Sequence, residues 1–237
     1  CVVVICFVRL KNWGVMIDLD EIFKDGPGTY EDTLDEIMPL LDANSQPIIQ
    51  DKLSNIVVFG NAPFADDKNS ENNLANIIAG KTGATVYNFS FADSYLSTEQ
   101  SILEAGTNDL FSLYWLTTVW AVDNDVIVEQ YLEAVPDVSM EVKSTLSLLQ
   151  NLDFNTVDVI AIMYDGSDYL DCRGMYNRGD SKNLTHFGGA LEASIDLIKQ
   201  YFPHIQIIVM SPPYAYGLEE DGTLVDSTIK TYGNEGP

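Results

Sequence analysis

A chain of 237 residues, 46% hydrophobic and 20% charged, has the composition of one globular domain, or one domain with an appendage, and enough apolar mass for a sizeable core. Its formal net charge of −24, from 12 Lys and Arg against 36 Asp and Glu, excludes nucleic acid as a partner and disfavours docking on anionic lipid, because both need clustered cations. Acidity of this kind is read first as solubility, and the three cysteines, Cys1, Cys6 and Cys172, form neither a disulfide framework nor a metal-ligand spacing.

Residues 1–8, Cys-Val-Val-Val-Ile-Cys-Phe-Val, are wholly apolar and are followed by Arg9 and Lys11. The run is far shorter than the roughly 20 residues a helix needs to cross a bilayer. It reads either as the end of a membrane anchor or signal segment or as a buried strand. Cys in place of Met at position 1 favours the anchor, which implies a bacterial cell-surface or extracellular protein. The two cations that follow favour a cytoplasmic body instead. Residues 9–54 read as a lead-in segment, with a turn at Asp25-Gly-Pro-Gly28 and a helical spacing of Leu34, Ile37, Met38 and Leu41.

From residue 55 the pattern becomes strand, helix, strand. Ile56–Phe59 is a short apolar strand that ends at Gly60-Asn61. Ser70-Glu71 opens a helix with Leu74, Ile77 and Ile78 on one face and Gly83 just past its end. Thr85–Phe91 is a second strand. Residues 98–151 read as mostly helical, broken near Asp123-Asn124 and at Pro136. Val157–Met163 is a third strand, Thr185–Tyr201 an amphipathic helix with Leu191, Ile195 and Ile198 inward, and Ile205–Met210 a fourth strand. Leu224 to Tyr232 begins a further helix. Strands that are apolar without alternation, separated by helices, predict a three-layer α/β/α sandwich around a mostly parallel, flavodoxin-like sheet.

In such a sheet the residues that follow each strand share one edge, where ligands and nucleophiles are mounted. Here they are Gly60-Asn61-Ala62, Asn88-Phe-Ser90, Asp165-Gly-Ser-Asp168 and Ser211-Pro-Pro213. The layout of residues 55–237 resembles the SGNH/GDSL hydrolase family, esterases and lipases acting on acyl or acetyl groups, including those on glycans. Its first block, a strand followed by Gly-Asp-Ser with Ser as nucleophile, corresponds to Gly60-Asn61-Ala62. Its second, around an oxyanion-hole glycine, corresponds to Val86-Tyr-Asn-Phe-Ser90, with Ser90 near the glycine. Its third, Gly-x-Asn-Asp, corresponds to Asp165-Gly-Ser-Asp168, with Ser167 at the Asn position and Asp168 matching the Asp. The segment from Phe187-Gly-Gly-Ala-Leu191 to Ile207-Ile-Val-Met-Ser-Pro212 resembles the family's helix-then-strand unit.

The family's last block, Asp-x-x-His, has no counterpart in these residues and is expected about one helix and one strand past Pro237. His186 and His204 read as surface histidines outside the base position. Ala62 cannot attack a carbonyl, so the resemblance implies an esterase relative with a degenerate site and no cofactor. A non-catalytic glycan- or ligand-binding module on the same fold is the first alternative. A second keeps a Mg²⁺ or Ca²⁺ site built from Asn61, Asp66, Asp67, Asp165 and Asp168. Against it, Asp66 and Asp67 are read as preceding or capping the next helix, and Asp168 as holding a loop. A flavodoxin-like nucleotide binder ranks last, because Pro63 and Phe64 interrupt where a phosphate loop needs free N–H groups. Tyr114, Trp115, Trp120 and Tyr131 are read as core packing rather than as a sugar-stacking platform.

Overall fold

A computed structural model of the chain describes residues 53–122, 125–211, 216–218 and 222–226, all within the unit Leu53–Pro237. The anchor reading of residues 1–8 and, apart from Leu53 and Ser54, the lead-in reading of 9–54 lie outside them. Strand β1 (Asn55–Gly60) is followed by a short helix α1 (Ala62–Ala65), helix α2 (Leu74–Thr82) and strand β2 (Thr85–Asn88). A 3₁₀ turn (Asn108–Phe111) leads into helices α3 (Leu113–Ala121), α4 (Asp125–Ala134) and α5 (Met140–Asn151). A second 3₁₀ turn (Phe154–Thr156) precedes β3 (Val159–Met163). Then come α6 (Ser167–Leu170), α7 (Phe187–Tyr201), β4 (Gln206–Val209) and a hairpin of β5 (Tyr216–Leu218) with β6 (Leu224–Asp226).

The main sheet has the order β2-β1-β3-β4 and every pairing is parallel, as the apolar, non-alternating strands require. β1 is central, with Val57 opposite Tyr87 on one side and Ile160 on the other. Successive side chains point to opposite faces, and both faces are buried. Val57, Phe59, Ile160 and Ile162 join one apolar cluster, while Ile56, Val58, Val159 and Ala161 join a second that packs on Phe64, Ala75 and Ile78. The result is the three-layer α/β/α sandwich.

The first cluster is the larger and is built on rings. Trp120 of α3 stacks on Phe154 at 4.0 Å and lies 6.5 Å from Phe59, while Phe111 meets Tyr131 edge-on at 5.1 Å. Trp120 and Tyr131 are buried in this cluster, so these two are packing, whereas Tyr114 and Trp115 are half-buried and meet each other edge-on at 5.2 Å.

Several boundaries differ from those expected. Helix α2 begins at Leu74 because Asn73 caps it. The Asn73 Oδ1 accepts from Ala75 N at 3.0 Å, and its Nδ2 donates to the carbonyls of Phe64 and Asp66. Asp66 instead closes α1 and Asp67 takes a left-handed φ of 48°, so neither caps α2. Gly83 ends α2 in the left-handed conformation (φ 71°) that glycine adopts without strain. Strand β2 stops at Asn88, although Phe89 N and Phe91 N still reach the β1 carbonyls of Val58 and Gly60 at 3.0 and 3.1 Å.

Residues 98–107 are irregular rather than helical, because the Asp109 carboxylate accepts from the backbone of Glu99 and Gln100 and holds that segment as a loop. Helix α4 then ends at Ala134, ahead of Pro136, while the expected break at Asp123-Asn124 falls outside the described residues. The amphipathic helix α7 starts at Phe187, with Ile198 buried and Leu191 and Ile195 half-buried. Leu224–Asp226 is a strand and not the start of a helix. It pairs antiparallel with Tyr216–Leu218 behind Gly222 at φ 84°. Among the described residues no helix is long and apolar enough to cross a membrane.

Candidate functional site

The carboxyl edge of β1 is set by a close approach of backbones. A Cβ at Gly60 would lie 2.0 Å from the Met163 carbonyl oxygen, so only glycine fits beside β3 there. The chain then leaves the sheet at Asn61 and enters α1, with Pro63 in the first turn, where its missing N–H costs nothing.

Asn61 is buried, and its amide joins three loops. Its Nδ2 donates to the Ser94 carbonyl at 3.0 Å and to Asp165 Oδ1 at 2.7 Å, and its Oδ1 accepts from Asp165 N at 2.9 Å. Ser94 follows β2 and Asp165 follows β3, so this one side chain fastens all three strand ends. The same Asp165 oxygen accepts from Ser167 N at 2.9 Å. An aspartate at position 61 has no N–H to offer and would place a second carboxylate against Asp165. The amide therefore suits an edge that already carries Asp165.

The other expected positions are dispersed. Ala62 follows Asn61 directly, and Ser167 is joined to Asn61 through Asp165. Ser90 is fully buried and turns back on its own strand, its hydroxyl and N–H both donating to Asn88 Oδ1. Its carbonyl accepts from Lys68 Nζ at 2.7 Å. Asp168 is buried and clamps the loop after β2. It accepts from Leu96 N and Ser97 N, each at 2.9 Å, and from the Ser97 hydroxyl. These roles are structural, and the loop-holding reading of Asp168 is the one its bonds describe. His204 is exposed, but His186 is half-buried rather than on the surface, with Nδ1 3.1 Å from Thr185 Oγ1.

Two groups near the edge have displaced proton affinities. Burial, reinforced by the negative charge of Asp168, pushes the Tyr164 hydroxyl far up, and that hydroxyl has no hydrogen-bond partner among the described residues. Burial pulls the Lys68 ammonium down, opposed by Glu141 at 3.5 Å. Lys68 also lies 5.4 Å from the centre of the Phe91 ring and lines a cavity of 270 Å³.

A larger cavity of 490 Å³ opens beside the clamp, between the loop after β2, the first 3₁₀ turn and the segment after α6. Asp93, Glu99, Asp109 and Asp171 face it against one cation, Arg173. The guanidinium lies 3.6 Å from the centre of the Tyr95 ring, donates to the Ser97 carbonyl at 3.0 Å and pairs with Asp171 at 3.3 Å. Thr98 and Ser112 also line the cavity. They are 1% and 2% exposed, and neither hydroxyl finds a hydrogen-bond partner among the described residues. Sequence reasoning did not reach these residues. They are scattered over the chain with no periodicity, and only the fold collects them. Among the described residues no group of three or more His, Cys, Asp or Glu side chains is placed to hold a metal ion.

No protein-family model matches the chain, and no curated protein does. Solved crystal structures are similar to it, two of them as follows. One is 18% identical over 78% of this chain and 67% of its own, with a TM-score of 0.47. The other, a protein from Lactobacillus plantarum, is 14% identical over 70% of this chain and 59% of its own, with a TM-score of 0.39. Likenesses at this level carry no argument about function.

Proposed function

We propose that the protein is a non-hydrolysing relative of the SGNH/GDSL ester hydrolases that binds a small polar ligand without turning it over. The observation that carries this reading is Ala62 at the head of the central strand, flanked by polar groups already engaged in holding loops. Nucleophilic catalysis needs a hydroxyl or thiol with a base in hydrogen-bond reach. Position 62 offers neither, Asn61 is tied to Ser94 and Asp165, and the Asp168 carboxylate is engaged by three loop donors. Preorganised N–H groups alone leave only a small part of an esterase's rate. The test is p-nitrophenyl acetate turnover by the full chain as it is encoded, together with mass spectrometry after treatment with a fluorophosphonate. The expected result is release of p-nitrophenol no faster than from an equal concentration of unfolded protein, with no covalent adduct. A single-site adduct with burst kinetics would overturn the proposal.

A further inference from the structure

We propose that Lys68 is a covalent attachment site, its amine condensing with a small neutral aldehyde held in the 270 Å³ cavity that it lines. The site uses no side chain from the head of β1. It goes beyond the binding reading above and does not rest on it.

Lys68 sits in the turn between α1 and α2, after Asp67 in its left-handed conformation. Asn76 of α2 fixes that turn, its Nδ2 donating to the carbonyls of Lys68 and Ser70, each at 2.8 Å. The side chain crosses to the loop after β2, where Nζ donates to the Ser90 carbonyl at 2.7 Å and lies 5.4 Å from the centre of the Phe91 ring. Phe91 stacks on Phe111 at 4.3 Å, and with Ala65 and Val142 these rings make the apolar wall of the cavity. The Lys68 side chain keeps 18% of its surface exposed, which admits a small molecule while most of its hydration is lost. An amine held at both ends gives up little freedom when it reacts.

A lysine attacks through its neutral amine, and apolar surroundings favour that form by penalising the charge. Burial does so at Lys68. The charged groups that oppose it are the two carboxylates lining the cavity, Glu141 of α5 at 3.5 Å and Asp93 of the loop after β2. The bonding suits the deprotonated amine: its two N–H donors match the Ser90 carbonyl and Glu141, and the third position becomes a lone pair. The exposed carboxylates of Glu141 and Asp93 disfavour an anion, and the rings favour an apolar body, so the reactant class is a neutral aldehyde. The lone pair attacks the aldehyde carbon, and a proton passes from nitrogen through Glu141 to the oxygen, giving a carbinolamine. The nitrogen then expels the hydroxyl, its second proton follows by the same carboxylate, and water leaves as the C=N bond forms. The step needs no oxidant or reductant.

Benzaldehyde is the probe, with excess cyanoborohydride to reduce the imine to a stable benzylamine, read by peptide mass mapping of the full chain. Lys182, whose ammonium is held up by Asp196, is the internal reference. At about pH 7.5 Lys68 is expected to be labelled about tenfold faster than Lys182, since each unit by which an ammonium is lowered raises its neutral fraction about tenfold. Glu141→Gln is expected to split the pH profile of Lys68 labelling. Its midpoint moves further down, because a charge that raised it is gone, while the plateau rate falls about tenfold, because the proton relay is gone. The anionic 4-formylbenzoate, corrected for its reaction with Nα-acetyllysine, is expected to react at least about threefold more slowly at low salt. Lys68→Met keeps the apolar stem and is expected to lose the adduct while still unfolding cooperatively on heating. Labelling of Lys68 no faster than Lys182, an unsplit profile in Glu141→Gln, or equal reaction of the anionic aldehyde would each overturn the proposal, and none of the three depends on the Lys68 variant folding. A fluorophosphonate adduct elsewhere would refute the silent-edge reading and leave this one standing.

Discussion

The sheet edge and the cavity beside it share a loop yet are opposite in their hydrogen bonding. At the edge Asn61 bonds Ser94 and Asp165, Asp168 bonds Leu96 and Ser97, and Ser90 bonds Asn88. In the cavity, buried hydroxyls at Thr98 and Ser112 lack partners and the rim carries uncompensated negative charge. A partnered network fixes one geometry, whereas buried hydroxyls without partners cost stability. The contrast separates side chains that fasten loops from side chains whose polar atoms are buried unpaired.

The largest way to test the contrast is Asp168→Ala. It strands two buried N–H groups and a hydroxyl, and is expected to lower unfolding free energy by about 3–5 kcal/mol in urea titrations. A residue kept for chemistry alone would be lost at far smaller cost. Asn61→Asp comes next. It removes two donors and sets a carboxylate against Asp165, so a loss of about 2–4 kcal/mol is expected at neutral pH. Like charge raises the shared carboxyl affinity for a proton above the unfolded value, so the loss should shrink as pH falls toward about 4. Denaturation midpoints at the two pH values measure it.

Tyr164 gives a third and smaller effect, confined to alkaline conditions. Its folded pKa is raised above the unfolded 10.0, so its contribution is fully present below that value. As pH rises past it the unfolded chain ionises and the folded one does not. Stability is then lost at up to about 1.4 kcal/mol per pH unit. Tyr164→Phe should remove this slope, and comparing the two proteins' midpoints on either side of the tyrosine pKa checks it. The smallest effect is expected from Ala62→Ser. One hydroxyl at the start of α1 should change stability by no more than about 0.5 kcal/mol, measured by the same titration, because the latch around position 62 is built from Asn61 and Asp165 and not from residue 62.

How much of this was legible in advance depends on how local each signal is. Ile56–Phe59, Val157–Met163 and Ile205–Met210 are short apolar runs whose strand character, burial and parallel pairing follow from composition and the helices between them. Gly83 and Pro136 mark helix ends by backbone conformation alone. At two places a side chain elsewhere competed with local pattern. Asn73 displaced Ser70 as the cap because its amide also reaches Phe64 and Asp66, and Asp109 held 98–107 out of a helix.

The amino-acid sequence by itself determined the layered α/β/α fold and the absence of a nucleophile at position 62, since both depend on residue type and neighbours within a few positions. Only the tertiary structure decided that Asn61 and Asp168 are fasteners and that Thr98 and Ser112 are unpaired. Asn61 finds Asp165 across 104 positions and Asp168 finds Ser97 across 71. Whether a buried polar atom is satisfied is a property of the partners the fold brings to it, and no local pattern records it.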